Sequence, residues 1–242
     1  VETQMCAKDW DSINFSHVPS VASARYKKAF NRNTTKFAEY VAALVKGEDP
    51  SVKVNAGAVY PYDVLKGRIS NYGVSFNKTE MDLIEAQWNA LPNYVNDANI
   101  LPLVDVSGSM DGVSVSGSVT ALDVAISLGL YVSERAGGVF KDQFITFSGT
   151  PQMLKTTGTL KQRYDQMERS NWAGSTNIQA AFELILNAAV KHKVPKAEMP
   201  TKVLILSDME FNGCVTMGAQ TTSLWGGGTP VSVSAMDMIR DK

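Results

Sequence analysis

The sequence contains very little cysteine and histidine. Its 242 residues include two cysteines, Cys6 and Cys214, and two histidines, His17 and His192. Two cysteines that lie so far apart in the chain indicate neither a disulfide framework nor a zinc-binding motif. Such sparing use of cysteine is typical of a reducing compartment, and we therefore expect a cytoplasmic protein.

Long apolar runs and a strong net charge are also missing. No apolar stretch approaches the roughly 20 residues that a membrane-spanning helix needs, and no basic-then-apolar leader opens the chain. Lys and Arg number 23 against 24 Asp and Glu, a net charge of −1, so there is no basic field for non-specific nucleic-acid binding. We expect no membrane contact.

The first residue is Val1 rather than Met, as expected of a processed product or a fragment.

The motifs of several enzyme classes are absent. Neither histidine lies near a Gly-x-Ser-x-Gly elbow, which argues against a serine hydrolase. No Gly-x-x-x-x-Gly-Lys-Ser/Thr sequence is present, which excludes a P-loop nucleotide-binding site. A phosphatase of the Asp-x-Asp type would need a second acid where Ser107 stands. We expect a protein that is not an enzyme, and a metal-dependent hydrolase is the enzyme alternative that stays open.

The first part of the chain, residues 1–97, has the apolar spacing of helices. Its hydrophobic content suits a packed core, because 44% of all residues in the chain are hydrophobic and 19% are charged. The clearest helical stripe has apolar residues at steps of three and four: Phe37, Tyr40, Val41, Leu44 and Val45. Asn33, Thr34 and Thr35 precede this stripe and are suitable helix caps. We therefore predict a mainly helical N-terminal region over residues 1–97.

From residue 98 the pattern changes to alternating strands and helices. Short apolar runs predict strands at residues 100–105, 143–147, 152–155 and 202–207. Helical patterns lie between them, and this alternation is typical of a doubly wound, mostly parallel sheet. The predicted fold class is therefore α/β, with a second domain over residues 98–242.

Acidic and hydroxyl side chains follow these strands at three places. Asp105, Ser107 and Ser109 come directly after the first strand, Thr176 lies at a helix start, and Asp208 follows the last clear strand. Ligands of open α/β sheets bind outside the carboxyl ends of the strands, so these three loops can converge. Carboxylate and hydroxyl oxygens suit Mg²⁺ or a similar cation. For the first loop alone, an ordinary turn whose side chains bond to local backbone is an equal alternative.

These five positions resemble the metal-ion-dependent adhesion site of von Willebrand factor A domains, in which Asp-x-Ser-x-Ser is followed by a Thr and then an Asp. The resemblance implies direct binding of Mg²⁺ (or Mn²⁺ or Ca²⁺) by the hydroxyls of Ser107 and Ser109. Thr176 would bind directly or through water, and Asp105 and Asp208 mainly through water. It also implies an interaction module that takes an Asp or Glu of a protein partner as a ligand of the metal.

The wider sequence suggests a second resemblance. Residues 10–30 and 54–62 are similar to an uncharacterised intracellular family that joins a helical region to an A domain, and the Ro ribonucleoprotein autoantigen has a similar plan. This resemblance implies the alternative of a Ro-like ribonucleoprotein component that binds RNA. A further alternative is a structural or scaffold subunit of a larger assembly, with a vestigial metal site.

A cluster of basic residues is the sequence feature that an RNA-binding surface would use. The cluster lies in the helical region: Arg25, Lys27, Lys28, Arg32 and Lys36. Charge runs of this kind are also typical of a solvated helix face, and we favour that interpretation.

The resemblance also implies more strands than the chain supplies. A domains have six strands in the order 3-2-1-4-5-6, whereas four are predicted here, and the helix that begins at Val233 stops at Lys242. The strand at residues 202–207 would then be an apolar edge, which invites pairing or aggregation. We expect added polypeptide to cover it, either a continuation of the chain or a separate subunit. In the alternative, residues 218–234 fold back over the edge.

Overall fold

A mostly parallel four-stranded sheet and a group of helices make up the protein. The structure, a computed structural model, describes residues 1–65, 77–116, 119–148, 150–170 and 178–208. The helices in these ranges are α1 (Glu2–Cys6), α2 (Ser20–Asn33), α3 (Thr35–Lys46), α4 (Pro61–Leu65), α5 (Lys78–Asn89), α6 (Gly108–Gly112), α7 (Ala121–Arg135), α8 (Leu160–Glu168) and α9 (Ile178–Lys191). The strands are β1 (Ile100–Val104), β2 (Ser114–Ser116), β3 (Val119–Thr120), β4 (Gln143–Thr146), β5 (Met153–Lys155) and β6 (Lys202–Leu206).

The described part of the chain before residue 98 forms helices, as predicted, and its caps explain where they begin and end. Thr34 separates α2 from α3, and its hydroxyl accepts the Lys36 N–H at 3.2 Å. Gly47 ends α3 in the left-handed conformation, with φ of 65°, which glycine adopts without strain. Asn77 caps α5 by accepting the Glu80 N–H at 2.9 Å.

Lys27 corrects the interpretation of the basic cluster. Its side chain is 1% exposed, whereas Arg25, Lys28, Arg32 and Lys36 are exposed. Position 27 lies at helical spacing from the buried residues of α2, so the periodicity of the helix places it on the inner face. The charge pattern predicts a single solvated helix face. This prediction is wrong for the cluster as a whole, because Lys27 is buried.

The main sheet has the order β5-β4-β1-β6. β1 pairs in parallel with β4 on one side and with β6 on the other, while β5 runs antiparallel to β4. Every residue of β1 after Ile100 is buried, as expected for a central strand covered on both faces. The predicted mostly parallel sheet, including the short returning strand β5, is confirmed.

Alternate residues of the strands face two different helical layers. Val104 and Phe144 pack in a cluster with α7 and α8, whereas Leu103 and Ile145 pack in a cluster with α9. α7 begins at a capping box, in which Thr120 and Asp123 bond reciprocally. α7 approaches β1 closely at Gly129, where a Cβ would lie 2.6 Å from Val104 Cγ2.

The helical region and the sheet share one apolar core. Trp88 of α5 and Val64 of α4 are fully buried in the same cluster as Ile126 and Leu130 of α7. The two regions therefore pack directly against one another, and the boundary between residues 97 and 98 stays a prediction.

β6 ends the sheet on one side within the described ranges. The predicted helix at Val233 and the segment 218–234 lie outside the described residues. Within the described ranges, every helix is too short or too polar to span a bilayer.

Candidate metal-binding site

Asp105 lies at the carboxyl end of the central strand. Its backbone N–H donates to the Leu206 carbonyl at 2.9 Å. The pairing of Val104 with both Thr146 and Leu206 places the ends of β4 and β6 on either side of it. The residue is 0% exposed. A buried carboxylate at this position needs hydrogen-bond donors, because burying an unpaired charge is costly.

Two neighbours supply those donors. The Ser107 N–H donates to Asp105 Oδ1 at 2.9 Å, and the Ser207 hydroxyl donates to Asp105 Oδ2 at 2.9 Å. Both carboxylate oxygens are thus engaged, one from the following turn and one from the end of β6. Hydrogen bonds to an ionised acceptor are the stronger kind, so this carboxylate is held in a fixed orientation.

Sequence reasoning did not identify Ser207 as a site residue. Ser207 directly precedes Asp208, and the parallel register that pairs Val104 with Leu206 brings it beside Asp105. A signal was present, since a hydroxyl follows the apolar run of the strand that was predicted to end beside Asp105. The register itself could not be read from the sequence.

The hydroxyls of Ser107 and Ser109 lie close together in the loop that follows the buried carboxylate. The two Oγ atoms lie 2.9 Å apart, and both residues reach solvent. Ser107 is the N-cap of α6, but its side chain makes no capping hydrogen bond. α6 is anchored by Met110, which is buried in the core below. The short helix therefore presents two adjacent hydroxyl oxygens at the surface.

Of the other two predicted ligands, the structure describes Asp208 but not Thr176. Asp208 is half-buried and follows Ser207 at the end of β6, so it belongs to the same edge of the sheet as Asp105. Thr176 lies outside the described residues, and its position in the site stays a prediction.

The donor set consists of oxygen atoms only. Within the described ranges, no three His, Cys, Asp or Glu side chains are grouped so that they could hold a metal. The candidate site is of another kind, with two hydroxyls beside a carboxylate that is held by hydrogen bonds. Hydroxyl, carboxylate and water oxygens are the ligands that hard cations such as Mg²⁺ accept, so the residues are chemically compatible with such an ion.

Two domains of unknown function match most of the chain. A domain of unknown function, DUF7788, matches residues 99–228, which is more than half of the sequence. The chain belongs to the DUF7788 family. A second domain of unknown function, DUF2828, matches residues 1–101. The DUF7788 match contains all five predicted ligands, and the two matches meet where the helical region gives way to β1.

A viral protein is similar to almost the whole chain. The uncharacterized protein L728 of Acanthamoeba polyphaga mimivirus is 32% identical over 246 residues, which cover 93% of this chain. The matched region is 40% of the viral protein. The DUF2828 and DUF7788 stretches of this chain thus correspond to less than half of that relative.

Proposed function

We propose that the carboxyl edge of the DUF7788 sheet is a Mg²⁺-dependent protein-binding site of the A-domain type. The observation that carries the proposal is the arrangement at the end of β1. Asp105 is fully buried and accepts a hydrogen bond at each carboxylate oxygen, and in the loop that follows it the hydroxyls of Ser107 and Ser109 lie 2.9 Å apart. In this proposal the protein binds an acidic side chain of a partner and catalyses no reaction.

The strand order supports the A-domain part of the proposal. In order of sequence, and leaving aside the β2–β3 hairpin, the strands of the main sheet are arranged 3-2-1-4. The A-domain order 3-2-1-4-5-6 begins with the same four positions. A sheet with this order has its switch point beside β1, where open α/β sheets bind their ligands.

Each of the five predicted ligands would have a defined role in metal binding. Ser107 and Ser109 would hold the cation through their hydroxyl oxygens, and Asp105 would orient this loop through the Ser107 N–H that it accepts. Asp208, and Thr176 in the part of the chain that is not described, would complete the site directly or through water. A bound Mg²⁺ would supply a positive charge with coordination positions open to a carboxylate of a partner.

Calorimetry tests this proposal directly. We expect Mg²⁺ or Mn²⁺ to bind the wild-type protein with one site, and the double substitution Ser107→Ala and Ser109→Ala to abolish binding. The double variant removes two hydroxyls of residues that reach solvent and leaves the buried carboxylate in place, so it should fold. Ser116→Ala is the matched control, because it removes an exposed hydroxyl from the neighbouring hairpin.

Equal metal binding by the wild type and the double variant would refute the assignment. Circular dichroism of each variant establishes that a loss of binding does not come from unfolding.

RNA binding is a second candidate function, and the surface of α2 favours it. Arg25, Lys28 and Arg32 are exposed and follow one another at steps of three and four, so they lie along one side of the helix. In this case RNA affinity would fall steeply as salt rises, and reversal of these charges would abolish it. A filter-binding titration at two salt concentrations distinguishes this function from metal-dependent protein binding.

A further inference from the structure

A groove lies between α3 and α5, in the helical region and away from the strand ends. Its volume is about 570 Å³, which is within the roughly 300–1,000 Å³ of ligand pockets. A cavity of this size accepts a few side chains rather than a folded domain.

Most residues that line the groove are apolar. They are Leu44 and Val45 of α3, Val54, Ala86 of α5, and Ala90, which directly follows α5. Ala86 and Ala90 are one helical turn apart, and their short side chains leave the space open. Val45 is 58% exposed. An apolar side chain that entered the groove would cover Val45 and remove its apolar surface from water.

The remaining lining residues are acidic or polar. Asp82, Glu85 and Asn89 line the groove from α5, at steps of three and four along one stripe of the helix. Asp82 pairs with Lys78 at 2.6 Å, but the Lys78 side chain is 86% exposed, and exposed pairs of this kind exchange at little cost. Glu85 is half-buried and has no hydrogen bond or ion pair with the described residues. The groove therefore offers a negative charge beside apolar side chains.

We propose that this groove docks a short basic amphipathic segment of a partner protein. An apolar side chain of the segment would lie on Ala86 and Ala90 against Val45, and a Lys or Arg would pair with Glu85. Amphipathic segments bind in grooves through apolar anchors at helical spacing, and the charge of the groove selects a basic partner over an acidic one. This surface is separate from the candidate metal site and independent of the function proposed there.

The test is selection of short random peptides on phage against residues 1–242. We expect the selected peptides to combine apolar residues with Lys or Arg. A fluorescein-labelled synthetic copy of one of them is the probe, and its affinity is measured by fluorescence anisotropy. Glu85→Lys should weaken its binding about tenfold or more, because it places a like charge opposite the basic residue. Glu39→Lys, an exposed acid of α3 that does not line the groove, is the matched control.

Two further variants sharpen the result. Ala86→Leu fills the groove without changing its charge and should also weaken binding. A probe with its Lys or Arg replaced by Glu should regain affinity for the Glu85→Lys protein.

Three outcomes would overturn the proposal. Peptides without basic residues, or binding that is unaffected by both Glu85→Lys and Ala86→Leu, would refute a basic ligand in this groove. Self-association that rises with protein concentration and is abolished by Glu85→Lys would assign the groove to a second copy of the chain, through the basic face of α2. Sedimentation velocity measures this last outcome.

Discussion

At the residue scale, the buried Asp105 carboxylate accepts one hydrogen bond from its own loop and one from the end of a neighbouring strand. The motif identified Asp105, Ser107 and Ser109 because the residue types and their spacing are local. The hydrogen bond from Ser207 depends on the register between β1 and β6, which are about 100 residues apart in the chain. A local sequence pattern does not indicate the register between distant strands. The motif therefore could not predict that Ser207 lies beside Asp105.

Ser207→Ala should destabilise the protein by about 1.5–3 kcal/mol, the usual contribution of a hydrogen bond to a charged group. The buried Asp105 carboxylate would lose the donor to its Oδ2 atom, and nothing in the alanine side chain replaces it. Urea unfolding measures the change, with Ser116→Ala as an exposed control that should stay within about 0.5 kcal/mol of the wild type. A change no larger than the control's would mean that the Ser207–Asp105 bond contributes little.

At the element scale, the predicted helices and main strands were confirmed where periodicity and capping agreed. Thr34 before α3 is a cap that the sequence indicates and the structure contains. α6 and the β2–β3 hairpin were not predicted. Their residues, 108–120, are rich in Gly and Ser, a composition that predicts a loop, and α6 depends on the burial of Met110 for its position.

Glu134 connects three helices and makes stability depend on pH. Its carboxylate accepts the Trp88 Nε1–H of α5 at 2.7 Å and pairs with Arg163 of α8, beside Arg135 of α7. Burial raises the pKa of Glu134 above its ordinary value of 4.5, although the Trp88 hydrogen bond and the two arginines oppose the shift. The protonated form is therefore favoured in the folded state relative to the unfolded state.

The sign of the pH effect follows from that shift. A raised pKa gives a stabilising contribution that is complete below pH 4.5, the ordinary value, and is lost as the pH rises through the folded-state pKa. The wild type should therefore gain stability relative to Glu134→Gln as the pH falls from neutral to about 4. Urea unfolding at the two pH values measures the difference in the free energy of unfolding between the wild type and Glu134→Gln. A difference that does not change with pH would contradict this role of Glu134.

At the scale of the whole molecule, the class of the fold could be predicted and the packing of its two regions could not. Alternating strands and helices indicated the mostly parallel sheet, and a mainly helical pattern indicated the N-terminal region. The contact of Trp88 and Val64 with α7 depends on tertiary packing between segments that are distant in the sequence. We had predicted two domains, but nothing in the sequence indicated that they would share a core.

The outer edge of β6 leads to the prediction about assembly. Within the described ranges β6 pairs only with β1, and we predict that a separate subunit pairs with its outer side. Residues 1–242 on their own should then self-associate, or exchange the outward amides of β6 rapidly. Size-exclusion chromatography and amide hydrogen exchange measure this, and a soluble monomer with strongly protected β6 amides would rule out the need for added polypeptide.

The shared core also has a consequence for how the two regions are inherited. Trp88 and Val64 belong to the DUF2828 stretch, while Ile126 and Leu130 belong to the DUF7788 stretch, and all four are fully buried together. A lineage that lost either stretch would expose a large apolar surface of the other to water, and exposed surfaces of that kind cause aggregation. Separation of the DUF2828 and DUF7788 stretches into two genes would therefore be selected against, unless new residues covered α7. We expect the two stretches to be inherited together.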